Sequence, residues 1–211
     1  MRPSTLCALL ASLGLFVGPS ASPGETSPST PQSAASVVEL HKQAGHVEFF
    51  AVGWPSALKI HGQGPGAEGV VQVSSGTLNG SLTFELDSLE TGIALRDRHM
   101  KENYLQTSRH PKAELKLSGL DVSKLPATGD FGPVTLPFQG TLSLHGVERP
   151  VSGSARLSRS GEQVNATAEF PLKLGDFGIE VPSYLGITVA EKVQVKTTFS
   201  ARVEARDAAT H

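Results

Sequence analysis

The sequence predicts an all-β protein: an antiparallel β-barrel with a short helical excursion between two of its strands. Apolar and polar side chains alternate with a period of two over many short segments, which is typical of strands with one buried face. The stretch from Ser88 to Leu117 interrupts this alternation with a charged interval and then resumes it. The 22 Gly and 14 Pro among 211 residues also suit a protein of strands and turns.

Residues 1–20 have the layout of a secretory signal peptide. Arg2 supplies a positive charge, Leu6 to Val17 is apolar or small, and small residues continue to a cleavage site after Ser20. This run is too short for the roughly 20 residues of a membrane span, and an uncleaved anchor is the alternative. We therefore expect a periplasmic or secreted protein with no stable membrane span after cleavage. Removal of Cys7 would leave no cysteine for disulfides.

Residues 21–36 are predicted to form a flexible linker. The segment is rich in Ser, Pro and Ala and has no apolar period, so it cannot bury enough surface to offset the entropy of ordering it. The barrel domain is accordingly expected at residues 37–207.

Short segments of alternating or continuous apolar character predict the strands, and Gly-rich residues 62–66 predict a loop. The last strand is the longest, and it favours a closed barrel because an open sheet would leave a long unpaired edge. The predicted strands are Val37–Leu40, His46–Val52, Ala57–Ile60, Val70–Val73, Thr77–Asp87, Ala113–Leu117, Phe138–Leu144, Val151–Leu157, Val164–Phe170 and Val193–Ala205.

One face of these strands is predicted to line an apolar interior that binds a ligand. Small residues occur there among Phe and Leu, a combination that leaves space in barrels that hold a ligand. The alternative is that large side chains from other strands fill this space. The predicted interior residues are Phe84, Leu86, Leu115, Leu117, Phe138, Gly140, Leu142, Leu144, Ala166, Ala168, Phe170, Val195 and Phe199.

The charged interval offers candidate contacts for a ligand head group. Arg96 and His99 are one helical turn apart, so both can face the barrel mouth and bind a phosphate or a carboxylate. In the alternative interpretation they brace the helix against the barrel, and Asp97 forms an i,i+4 ion pair with Lys101.

The motifs do not support catalysis, a cofactor or a metal site. The two Asp-Phe-Gly triplets at 130–132 and 176–178 lack the other kinase motifs, and the chain has no Gly-x-Ser-x-Gly elbow. His99 and Glu102 are the only candidate ligand pair at helical spacing, which is too few for a metal. A formal net charge of -2 with dispersed basic residues argues against a nucleic-acid partner.

Three stretches of the sequence resemble the YceI-like family. They are LETGIALRDRHMKENYLQTSRHPKAELKL at 89–117, FQGTLSLHGVERPV at 138–151 and LKLGDFGIEVP at 172–182. The resemblance covers essentially everything after Val37. It implies an extended, lipocalin-like antiparallel barrel that is exported and binds a polyisoprenoid or another long-chain lipid, without established catalytic residues. The resemblance also makes a homodimer a possible assembly.

Two departures from the family pattern concern the ligand more than the fold. Where the family usually has an aromatic residue after the His-Pro pair, this chain has Glu114 to Leu117, and residues 45–62 match only loosely. Two functions therefore remain open. One is a non-catalytic carrier of a long-chain lipid, and the other is an exported structural or stress-response barrel with a filled core that acts through protein contacts.

Overall fold

The computed structural model describes residues 36–54, 59–126, 128–181, 183–184 and 187–203. The predicted signal peptide and all of the predicted linker before Ser36 lie outside the described residues. Signal cleavage, the tether and the limits of the domain therefore stay predictions.

The described residues form twelve strands, one short α-helix between the fifth and sixth strands, and 3-10 turns at Lys42–Ala44, Leu86–Ser88 and Leu174–Phe177. The helix α1 spans Ala94–His99 and continues as a π-helical turn over Met100–Tyr104. The strands are β1 (Ser36–Leu40), β2 (Gly45–Trp54), β3 (Lys59–Pro65), β4 (Glu68–Ser74), β5 (Thr77–Glu85), β6 (Lys112–Asp121), β7 (Phe131–Leu144), β8 (Val147–Ser160), β9 (Gln163–Lys173), β10 (Ser183–Tyr184), β11 (Ile187–Val189) and β12 (Lys192–Arg202).

All of the strand pairs are antiparallel and belong to one sheet, in the order β1-β4-β5-β6-β7-β8-β9-β12-β2-β11-β10, with β3 also paired to β2. The long strand β12 pairs with β9 from Lys192 opposite Lys173 to Arg202 opposite Gln163. This pairing covers the long edge that β12 would otherwise expose. The all-β prediction and the short helical excursion are both confirmed. The last strand is not the longest as predicted, because β7 and β8 extend beyond their predicted segments to 14 residues each and β12 has 11.

The sheet curls back on itself into an extended half-barrel of the lipocalin type. Gln63 in β3 and Glu90, which follows β5, exchange two backbone hydrogen bonds of 2.8 Å each. This bridge joins β3, at one end of the strand order, to the segment that follows β5, near the other end. The inner face therefore encloses a core, and the period-two alternation of β12 places Val193, Thr197 and Phe199 in it at 6–8% exposure.

The loop predicted at residues 62–66 is wrong over most of its length, because β3 continues to Pro65. Gly62 lies opposite Phe49 in the pairing of β2 with β3. A Cβ at Gly62 would lie 2.1 Å from Cε1 of the Phe49 ring, so glycine is required here for a close approach and not for a turn.

Candidate functional site

A cavity of about 470 Å³ lies between the inner face of the sheet and the segment that follows β5. Its walls are mainly apolar. They are formed by inward side chains of strands from both halves of the curled sheet and by side chains of the helical segment. The apolar lining residues are Val47, Phe49, Ala51, Ile60, Ala67, Leu82, Phe84, Leu86, Leu89, Ile93, Leu95, Met100, Leu105, Ala113, Leu115, Leu142, Leu144, Phe170, Leu172, Leu174, Ile179, Val189, Val193, Val195 and Phe199.

The segment from Thr91 to Leu105, which contains α1 and the π-helical turn and which we call the excursion, forms the opening of this cavity. Ile93 and Leu95 line the cavity, yet they are 53% and 50% exposed, so the cavity reaches the surface beside them. Met100 and Tyr104 lie four residues apart in the π-helical turn and also line the cavity, with both side chains partly buried against the core. The short helix thus places apolar side chains across the mouth of the barrel.

A hydrogen-bond network fixes the start of the excursion. The Arg96 guanidinium donates from Nε to the Thr91 hydroxyl (2.7 Å) and from Nη2 to the Thr91 carbonyl (2.8 Å). The carboxylate of Asp97 accepts from the backbone N–H of Thr91 at 2.8 Å and from the Thr91 hydroxyl. Arg96 therefore braces the excursion through two of its three nitrogens. Its Nη1 has no hydrogen-bond partner among the described residues.

Asp97 does not form the predicted i,i+4 ion pair with Lys101 in the described part of the chain. Its carboxylate turns back to Thr91 instead, because the loop before the helix offers a backbone N–H and a hydroxyl to one acceptor oxygen. A partly buried pair of hydrogen bonds to a charge is stronger than an exposed ion pair.

We expect Asp97→Ala to lower the free energy of unfolding by about 0.5–1.5 kcal/mol, because the Thr91 N–H loses its acceptor. Urea denaturation of the two proteins measures the difference. Asp97→Asn keeps a side-chain oxygen and should lose less. Unchanged unfolding of Asp97→Ala would show that these hydrogen bonds do not brace the loop.

His99 and Tyr104 add further polar groups to the cavity lining beside Arg96. Both are partly buried, and neither side chain makes a hydrogen bond to another described residue. An imidazole, a phenol hydroxyl and the remaining guanidinium N–H groups are hydrogen-bond donors that suit an anion. The polar lining is thus concentrated in the excursion, apart from Thr197 on β12.

The structure places eight of the thirteen predicted interior residues, and both predicted head-group residues, Arg96 and His99, on the cavity wall. The eight are Phe84, Leu86, Leu115, Leu142, Leu144, Phe170, Val195 and Phe199. Contact of these residues with a ligand stays a prediction.

The other five predicted interior residues, Leu117, Phe138, Gly140, Ala166 and Ala168, do not line the cavity. Phe138 is 2% exposed and packs edge-on against Phe170, with ring centroids 5.9 Å apart. Leu117, Ala166 and Ala168 pack against the same core, and Gly140 lies opposite Leu117. We call these five residues the filled region, because they lie at the hydrophobic core and do not line the cavity.

Several lining residues were not predicted from the sequence. Phe49 follows the alternation of Val47 and Ala51, but the adjacent Phe50 hides that phase. In the structure Phe50 points outward, 40% exposed, and stacks on His61 at 4.6 Å between ring centroids. Tyr104 was missed because its position depends on the π-helical turn.

A cluster of charged side chains lies on the outer face, away from the cavity. The Glu48 carboxylate contacts His61 at 3.1 Å, His46 at 3.5 Å and Lys196 at 3.4 Å. Burial raises the pKa of Glu48, but the hydrogen bonds and charges of these partners, Lys196 foremost, hold it below its ordinary value. Within the described ranges, no three His, Cys, Asp or Glu residues are grouped to hold a metal ion.

The fold and the cavity together define a class: a curled antiparallel barrel with an apolar interior that opens beside a short helix. Over residues 34–201 the chain matches the model of the YceI-like domain. The chain therefore belongs to the YceI-like domain family. None of the described helices is long and apolar enough to cross a membrane.

Relatives and solved structures agree with this assignment. The chain is 32% identical to a UPF0312 protein of Pectobacterium atrosepticum over 106 residues, 47% of this chain and 50% of the relative. It is 29% identical to Protein YceI of Escherichia coli O157:H7 over 109 residues, 47% and 51% of the two chains. The chain spans about half the length of these curated relatives.

Two solved structures share the fold at low identity. A polyisoprenoid binding domain from Saccharophagus degradans has a TM-score of 0.63 at 16% identity and covers 81% of this chain and 100% of its own. BcnA of Burkholderia cenocepacia has a TM-score of 0.62 at 15% identity, covering 77% of this chain and 99% of its own.

Proposed function

We propose that this protein is a non-catalytic binding protein that holds one long-chain amphiphile, with its apolar chain in the cavity. The observation that carries this proposal is the cavity of about 470 Å³, whose walls are apolar apart from five side chains. That volume lies within the roughly 300–1,000 Å³ of small-molecule sites. Each methylene transferred from water into it gains about 0.8 kcal/mol.

A polyisoprenoid is the favoured chain, because the fold matches that of a polyisoprenoid binding domain from Saccharophagus degradans. The competing function, a structural barrel with a filled core, is disfavoured by the open cavity. Absence of catalysis is proposed because no nucleophile–base motif occurs in the sequence. Export to the periplasm or the medium is proposed from the signal-like residues 1–20.

We further propose that the head group of the ligand is anionic and lies at the mouth, against Arg96, His99 and Tyr104. These three side chains line the same cavity and carry donors without partners in the described structure. Arg96 then has two roles, since Nε and Nη2 brace the excursion while Nη1 remains for the ligand.

The test is a comparison of three ligands with the same long chain that end in a carboxylate, a phosphate or an alcohol. We expect the two anions to bind about tenfold more tightly than the alcohol, which corresponds to about 1.4 kcal/mol. His99→Gln and Tyr104→Phe should each reduce this preference. His41→Gln, an exposed histidine away from the cavity, is the matched control and should leave it unchanged.

Two outcomes would contradict the proposal at different levels. One outcome is equal binding of the alcohol and both anions, with no effect of His99→Gln or Tyr104→Phe. It would contradict the anionic head group but not the binding of an apolar chain in the cavity. Failure of all three ligands to bind the delipidated protein would remove the binding function itself.

A further inference from the structure

Two large apolar side chains are exposed where the cavity opens. Ile93 is 53% exposed and Leu95 50% exposed, and both are also part of the cavity wall. Other exposed apolar residues in the described chain, such as Val37 at 59% and Val70 at 45%, do not line the cavity. The apolar wall therefore continues from the interior onto the outer surface beside α1.

Hydrogen bonds on either side fix the backbone that carries these two side chains. Thr91 lies two residues before Ile93, and Arg96 and Asp97 directly follow Leu95. Hydrogen bonds join Thr91 to the side chains of both Arg96 and Asp97. The N–H of Asp97 also donates to the Ile93 carbonyl at 2.9 Å. The loop is thus fixed on both sides of the exposed pair. An exposed apolar surface that continues into a binding site is a feature of interaction surfaces.

We propose that Ile93 and Leu95 dock the protein on a lipid bilayer, so that the amphiphile passes directly between the bilayer and the cavity. The inference rests on the proposed function, because a long-chain cargo resides in membranes and enters water at a cost of about 0.8 kcal/mol per methylene. A bilayer is the partner whose chemistry matches this surface, since acyl chains can contact the exposed pair and the cavity wall without a break.

The charges around the exposed pair fit a bilayer surface. Arg98 is exposed, lies three residues after Leu95 and hence on the same side of α1, and makes no ion pair with a described residue. Arg side chains at the edge of an apolar insertion extend to lipid phosphates. The charges of Arg98 and Lys101 are together balanced by the exposed acids Glu90 and Glu102, so we expect apolar contact to dominate and salt to have a small effect.

Vesicle flotation and a transfer assay test the proposal with the chain that lacks residues 1–20 and a fluorescent long-chain carboxylate as the probe. The vesicles contain phosphatidylcholine and phosphatidylglycerol. Wild type should float with the vesicles and take up the probe at a rate that rises with vesicle concentration. Ile93→Ser combined with Leu95→Ser should lower the vesicle-bound fraction about tenfold, because such binding scales with the buried apolar area.

Two further variants separate docking from cargo binding. Ala94→Glu places a charge between the exposed pair at a residue that does not line the cavity, so it should weaken flotation while the affinity for the probe in detergent-free buffer stays the same. Val37→Ser combined with Val70→Ser removes exposed apolar area elsewhere and should float as wild type does.

Several results would overturn the docking proposal. One is a wild type that stays off the vesicles, and another is an uptake rate independent of vesicle concentration, which indicates transfer through water. A third is a dimer in vesicle-free buffer that becomes a monomer on the Ile93 and Leu95 substitutions, which would assign the surface to a second copy of the chain. A wild type that floats but binds no probe would leave docking standing and contradict the proposed function alone.

Discussion

Ala113→Trp is expected to abolish binding of the long-chain amphiphile while the barrel stays folded. Ala113 is a small residue on the cavity wall, opposite Phe84 in the pairing of β5 with β6. An indole at this position would occupy space that the chain of the ligand needs. Each methylene displaced from the cavity removes about 0.8 kcal/mol of binding free energy, so a few of them suffice for a loss of more than a hundredfold.

The matched control is Ala168→Trp, which adds the same volume to the filled region. Ala168 lies opposite Ala155 and Thr197 on its two neighbouring strands and packs against the core without lining the cavity. Overpacking there should lower the free energy of unfolding by roughly 1–3 kcal/mol. Melting temperatures of delipidated proteins and the lipid recovered from each variant measure both effects. Equal destabilisation by the two substitutions would contradict the division into a cavity and a filled region.

Phe138→Ala should produce the largest loss of stability, about 3–5 kcal/mol. The ring is 2% exposed and meets Phe170 edge-on at an interplanar angle of 88°. Its removal would leave a void that closely packed neighbours cannot fill. Such a loss is a large share of the roughly 5–15 kcal/mol by which a domain is stable.

Urea denaturation of Phe138→Ala and Phe50→Ala provides the comparison. Phe50 is 40% exposed on the outer face, so its truncation should cost less than about 1.5 kcal/mol even with the loss of its stacking on His61. Similar costs for the two substitutions would mean that Phe138 is not held in a filled core.

The alternation of side chains was sufficient to predict most strands. In β12, for example, residues two apart lie on the same face because of the strand geometry alone. Val195 and Phe199 could therefore be assigned inward from the sequence. Phe49 and Phe50 show the limit of this rule, because two adjacent aromatic residues fit either phase. Pairing with β3 and β12 resolves it, placing Phe49 in the cavity.

The extent of the cavity could not be predicted in the same way. Alternation gives the face on which a side chain lies, but not its height along the barrel, which depends on how the strands are staggered. Phe138 and Phe170 are both inward and in contact, yet only Phe170 lines the cavity. The assignment of Leu117, Ala166 and Ala168 to the interior carried the same ambiguity.

The polar end of the site was predicted in part. Helical spacing placed Arg96 and His99 on one side, but the bonds of Arg96 to Thr91 depend on a loop whose path no local pattern specifies. Tyr104 enters the cavity lining through a π-helical turn, in which the Leu105 N–H donates to the Met100 carbonyl at 2.8 Å. A turn of that kind has no simple periodic signature in the sequence.

The most direct test of the central claim is native mass spectrometry of the protein as purified from its host, followed by organic extraction. We expect wild type to carry one long-chain amphiphile, which extraction releases, and we expect Ala113→Trp from the same preparation to carry none. A wild type that appears only at the mass of the bare chain, and that takes up no amphiphile from vesicles after delipidation, would contradict the claim that the cavity is a lipid-binding site.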